Sequence, residues 1–154
     1  MKKLRHVPVV VRLYPNEIQK ADLMRETRID RHNLDIELIK QPARYVWWAS
    51  LYSNVAAKVA FLQEKLDSLE ARLFIQYVKD GKGKRVSDIK FHILRNPEFQ
   101  ALKSKLRRWM DSERNLKYGV RGFEQRKDVL QTLAANQRRE WDSDVKTKRK
   151  REEE

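Results

Sequence analysis

The chain has no cysteine, which excludes disulfides and thiolate metal sites and leaves nothing that points to an oxidising compartment. Glycine and proline number four each in 154 residues, too few for a loop-rich fold, and they stand at punctuating positions. Long apolar runs are also missing. The most apolar stretch, 45–62, contains Ser50, Ser53, Asn54 and Lys58 and suits a core helix better than a membrane span. Residues 1–15 pair a basic start with a short apolar run, but Pro8 and Arg12 interrupt that run and no small-residue cleavage site follows. The expectation is a soluble protein of the cytoplasm with no membrane association.

Chemistry-bearing constellations are scarce as well. His6, His32 and His92 lie far apart, with no HExxH or similar ligand spacing, and no paired aspartates suggest a two-metal site. Glu64, Asp67 and Glu70 fall at helical spacing among Lys58, Lys65 and Arg72, which reads as a solvated ion-pair face. The segment Gly81 to Ser87 lacks the Walker A pattern, and no serine sits in a nucleophile elbow. The reading is a non-enzyme without cofactor or metal.

Positive charge is what the sequence has in excess. Lys and Arg total 35 against 22 Asp and Glu, a net charge of +13 with a pI near 10.1. The surplus is concentrated in residues 81–141, where 16 basic residues face 7 acidic ones. Such a balance implies a polyanionic partner.

The punctuation divides the chain into an arm with a short helix (1–29), a helical domain (30–141) and a charged, disordered tail (142–154). Pro8 and Pro15 bracket Val9 to Leu13, an extended arm or lone strand. Asn16 is placed to cap a helix from Glu17 to Arg25, and Asp30 to start another running to Lys40. Pro42 fits the first turn of a long helix. Along that helix Trp48, Tyr52, Val55, Val59, Leu62, Leu66, Leu69 and Leu73 form a heptad seam ending before Gly81. After a glycine turn at Gly81 and Gly83, Ser87 is placed to cap a short helix to Arg95, and Asn96-Pro97 marks the start of a second long helix. Its apolar row runs Phe99, Leu102, Leu106, Trp109, Leu116, Val120 and Phe123, then weakly through Leu130, Ala134 and Trp141, with Glu113 and Lys127 intruding. Gly119 and Gly122 lie within it and mark a bend, a close helix contact or a break.

The expected fold is therefore all-α: two long helices with short helices before and between them. Seams of this length exceed what the short helices can cover, so the first seam is expected to pack copies together into an oligomer. The alternative is an antiparallel hairpin closed within one chain.

The basic residues of the second long helix also form a row. Lys103, Arg107, Arg114, Lys117 and Arg121, with Met110 completing the 4-3-4-3-4 spacing, stay on one face for about five turns, roughly 27 Å. They follow the apolar row one residue later, about 100° around the helix. A ridge of this kind suits a phosphate backbone. Lys82, Lys84 and Arg85 on the glycine turn are further phosphate candidates, and Arg126, Arg138 and Arg139 extend the charge. Residues 146–151 look like a localisation patch, although Glu152 to Glu154 follow directly. Trp47, Phe91 and Tyr118 lie off the seams and are candidates for stacking on bases. With no helix-turn-helix or zinc-finger spacing, sequence-tolerant binding of a single strand is favoured over duplex reading. The rival is a helical scaffold whose basic face meets an acidic protein.

From Asp30 to Glu140 the layout resembles the UvsY-type recombination mediators of tailed phages. The shared features are a short acidic-apolar helix and a long helix opening with Tyr45-Val-Trp47 and closing with Ala71-Arg72-Leu73. The glycine turn, a short helix and a second long helix carrying Arg121-Gly122-Phe123 follow. The resemblance implies a non-enzymatic ring-forming oligomer, a hexamer or heptamer, that binds single-stranded DNA. It further implies that this oligomer helps a RecA-like recombinase assemble on strand coated by single-strand-binding protein. Arg72 matches a basic position of the family. Glu70 stands where the preceding basic residue would be, a charge reversal that shifts the expected DNA contacts to the turn and the ridge.

Overall fold

The computed structural model describes the backbone of residues 9–13, 17–83 and 85–153. Strands β1 (Val9–Leu13) and β2 (Glu17–Ala21) pair antiparallel, with Val11 opposite Gln19. Helix α1 (Leu23–Glu26) and a 3-10 turn (Arg31–Asn33) lead into α2 (Leu34–Lys79), which is followed by α3 (Val86–Arg95) and α4 (Pro97–Glu153). Helix dominates, as expected, although the short helix expected from Asp30 to Lys40 merges with the first long one; the two long helices measure about 69 and 86 Å at 1.5 Å per residue.

Three local expectations are corrected. The segment from Glu17 is a strand paired with Val9–Leu13 and not a helix; the cap proposed at Asn16 lies outside the described residues. Pro42 does not open the long helix but lies within it, two turns after Leu34. A proline inside a helix removes one backbone hydrogen bond at a cost of about 3 kcal/mol, and tertiary contacts of the turns before it offset that loss. Leu34 and Gln41 are buried, and the Gln41 amide donates to the Phe123 carbonyl at 2.6 Å. The tail is helical through Glu153 and not disordered, and α4 runs unbroken through Gly119 and Gly122.

Helices α2 and α4 form an antiparallel hairpin. The start of α2 meets the middle of α4 through Trp48 and Phe123, whose ring centroids are 5.8 Å apart. At the other end Tyr77 accepts from the Asn96 side chain at 3.0 Å. Asn96 also caps α4, its Oδ1 accepting from Glu98 and Phe99 N–H at 2.9 and 3.2 Å, so one residue fixes the helix start and ties it to α2. Gly81, at φ 65°, turns the chain out of α2. Helix α3 is capped two residues earlier than Ser87 suggested: Asp88 accepts from the Arg85 N–H at 3.2 Å. Its Ile89 and Ile93 close the core.

The seam of α2 is filled inside the single chain. Leu34, Gln41, Trp48, Val55 and Leu62 are buried at intervals of seven, continuing through Leu66, Leu69 and Leu73, while Tyr52 and Val59 are half-buried against the same cluster. This corrects the expectation that these residues join copies: α4 covers them. On α4, Trp109, Leu116, Phe123 and Leu130 face them, again at sevens. On α4 Val120 is half-buried against the same core, as expected, while Ser112, Gly119 and Arg126 are buried where the seam reads Glu113 and Lys127. The N-terminal segment covers part of that row, Leu23, Thr27 and Arg28 reaching Gly119, Gly122 and Arg126 in turn.

A Cβ on Gly119 would lie 2.8 Å from Trp48 Cε3 and 3.1 Å from Leu23 Cδ2. The indole is a fixed core group, so Gly119→Ala is expected to destabilise the protein by about 1–3 kcal/mol despite its better helix propensity. Gly122→Ala meets the Thr27 methyl at 3.1 Å, on a short peripheral segment that can yield, and is expected to be near neutral. Urea unfolding of both variants checks the contrast; equal stability of Gly119→Ala and the parent would contradict the packing.

Candidate nucleic-acid interface

Once Leu102, Leu106, Trp109, Leu116 and Phe123 turn towards α2, the residues one step later are driven to the flank of the hairpin. Lys103, Arg107, Arg114, Lys117 and Arg121 are all exposed there, with Met110 in line. Among the described residues, Arg114 is the one member of the row with a carboxylate within 4.0 Å, Asp111 at 3.8 Å along the same helix. Both partners are well exposed, so this pair neutralises little. Lys103 lies 6.0 Å from the Phe99 ring centroid. The row ends at Glu124, which occupies the next position of the same face and accepts from Tyr45 Oη at 3.3 Å.

The other candidates separate from this ridge. Arg72 is bound to Glu98, at 3.0 and 3.1 Å to the two carboxylate oxygens. Glu98 precedes Phe99 whereas the ridge follows the seam, so Arg72 belongs to the opposite flank. Lys82 lies 4.9 Å over the Tyr77 ring and 4.0 Å from Asp80, and Arg85 is exposed at the start of α3; both stand at the closed end of the hairpin, where the ridge begins. Lys84 lies outside the described residues. Arg138 and Arg139 are exposed at the open end, away from the row. Trp47, Phe91 and Tyr118 are half or more exposed, Trp47 edge-on to Trp48 at 5.2 Å and Phe91 beneath Arg95 at 4.8 Å.

Arg126 is a correction. Its side chain is 1% exposed, ion-paired with Glu37 and hydrogen-bonded to the Gln41 side chain and, at 3.4 Å, to the Arg28 carbonyl. Glu37 also holds Arg44 at 3.4 Å. This guanidinium therefore ties α4, α2 and the N-terminal segment together and is not available to a strand. Sequence reasoning missed it because position 126 falls on the back row of the seam, whose burial depends on the N-terminal segment.

Elsewhere the chemistry stays sparse. Among the described residues no group of three or more His, Cys, Asp or Glu is placed to hold a metal ion, and no helix is long and apolar enough to cross a membrane. Asp30 has its carboxyl held below the usual value by the Asn33 side chain and then by the His32 N–H, an exposed cap of the 3-10 turn far from the ridge.

No family model matches the sequence, and no curated protein does. Among solved structures, the fold matches the crystal structure of the bacteriophage T4 recombination mediator protein UvsY. The TM-score is 0.64, covering 77% of this chain and 92% of that one. The chain has the UvsY fold. Sequence identity is 15%, so the likeness is one of architecture, and the resemblance read from 30–140 is borne out at that level.

The two roles assigned to arginines on α4 are separable by mutation. Arg126→Met leaves Glu37 without its buried partner and is expected to cost about 3–5 kcal/mol of stability, while the folded variant keeps its affinity for a single-stranded oligonucleotide. Chemical denaturation and fluorescence anisotropy below the unfolding midpoint test this. A variant of normal stability with lost binding would return Arg126 to the interface.

Proposed function

We propose that this protein is a non-enzymatic recombination mediator. It binds single-stranded DNA without sequence preference and helps a RecA-like recombinase assemble on strand covered by single-strand-binding protein. The ridge carries the reading. Five exposed cations lie along roughly 27 Å of a helix that its seam prevents from rotating, with one weak acid partner among the described residues. Evenly spaced fixed cations meet phosphates without reading bases, and exposed Tyr118, next to Lys117, suits an unpaired base. The likeness to the T4 mediator supports the same reading from an independent direction.

The reading includes an oligomer, a ring of six or seven copies. Because α4 already covers the α2 seam, copies must meet through other surfaces. The open end offers one: Ile36, Ile39, Trp141 and Val145 are exposed where α4 overruns α2, and Trp141 lines a groove with Leu38 and Ala134. Oligomerisation multiplies a weak site, so one strand touches several ridges at high effective concentration and can compete with a protein already coating it.

Replacing Arg107, Arg114 and Arg121 together with Glu reverses the ridge while leaving the seam untouched. The variant is expected to lose at least 100-fold in affinity for oligo-dT while keeping its helical content and its mass by light scattering. Undiminished binding would remove the ridge from the account and favour a scaffold whose basic face meets an acidic protein.

A further inference from the structure

Phe61 is 45% exposed on α2 although its neighbour Leu62 is buried in the seam. Two cations hold its ring: the Lys58 ammonium lies 5.0 Å and the Lys65 ammonium 4.7 Å from the centroid. At i−3 and i+4 they flank the ring along the helix axis, in weak cation–π contact with it. The ring opens on a groove of about 390 Å³ with Leu69 and Leu102 as apolar floor and Ser68 alongside. The Arg72–Glu98 pair closes the far end. On α4, Lys105 and Arg108 are exposed and share the flank of Glu98 by helical spacing. Glu64 and Glu98 also line the groove, so its charge is mixed, and the exposed ring itself lies between two lysines on the flank opposite the ridge.

We propose that Phe61 is a stacking platform for an unpaired nucleobase, with Lys65 leaving the ring for the phosphate beside that base. The Lys65 ammonium over an exposed ring is a weak contact, so its exchange for a base and a phosphate is favourable. The groove floor receives the edge of the base. A duplex offers no free base face, so this site discriminates for single strands, which phosphate contacts along the ridge do not do. Single-stranded nucleic acid as the ligand rests on the function proposed above; the residues and the flank are different.

The test compares a fluorescein-labelled oligo-dT with an abasic phosphodiester of equal length, by anisotropy at one salt concentration. Stacking of one base is worth roughly 5- to 160-fold in affinity, so the parent is expected to prefer oligo-dT by that ratio. Phe61→Leu and Phe61→Ala, at an exposed position that leaves the core intact, are expected to reduce the ratio several-fold with abasic affinity unchanged, and Phe61→Tyr to preserve it. The ridge triple variant is expected to weaken both ligands and keep the ratio. A parent with no preference for oligo-dT, or Phe61→Leu and Phe61→Ala variants that retain it, would overturn the stacking site while leaving the ridge standing. Normal binding by the triple variant would sink the ridge while the Phe61 ratio still decides this proposal.

Discussion

Burying one row of α2 beneath one row of α4 sets the rotation of both helices about their axes, and that rotation decides what each charged residue can reach. With Leu116 and Phe123 fully buried opposite Val55 and Trp48, Lys117 and Glu124 have no choice of side. The basic ridge follows from the same periodicity that builds the core, displaced by one residue. Its cations repel one another and gain little from their surroundings, so the row costs stability that the seam supplies. A helix so charged, over a length far beyond what the first turn of α3 or the N-terminal segment can brace, persists because its opposite face is committed to packing.

The open end needs a different device. There Pro42 weakens α2 and Gly119 and Gly122 weaken α4, at nearly the same level of the hairpin. Gly119 brings Trp48 and Leu23 into close contact, and the Arg126–Glu37–Gln41 network joins three segments where regular backbone bonding is poorest. Buried polar groups of this sort add directional requirements that apolar seams lack, and they fix which turn of α2 lies against which turn of α4. The N-terminal segment consequently covers one flank of α4 over its middle portion. The ridge occupies the other.

Much of this was legible in the sequence, for reasons that also explain what was not. The α2 seam, the Asn96-Pro97 start of α4, the Gly81 turn and the basic row each depend on residues close together in the chain, where periodicity and capping are direct signals. The partner of the α2 seam was not legible, because a heptad records that a face is buried and not what buries it; α4 of the same chain does so where copies were expected. Pro42 misled because a local breaking tendency was outweighed by contacts eighty residues away, Gln41 with Phe123 among them. Arg126 misled for the same reason: an arginine on a basic helix reads as surface until the segment that covers it is known. The pairing of Glu17–Ala21 with Val9–Leu13 lacked any strong alternation, so a helix was an equally good local reading.

The account rests on a single strand being held through its phosphates along the ridge. The most direct measurement is the salt dependence of affinity for a fluorescent oligo-dT alongside a matched duplex. Tighter binding to the single strand is predicted, the preference coming from base stacking on exposed aromatics and the salt dependence from the ridge, with log K falling against log salt by about 3.5 for each fully occupied ridge, from about 0.7 per phosphate contact and five cations. Absence of binding to either ligand at moderate salt, or an affinity indifferent to salt, would contradict it.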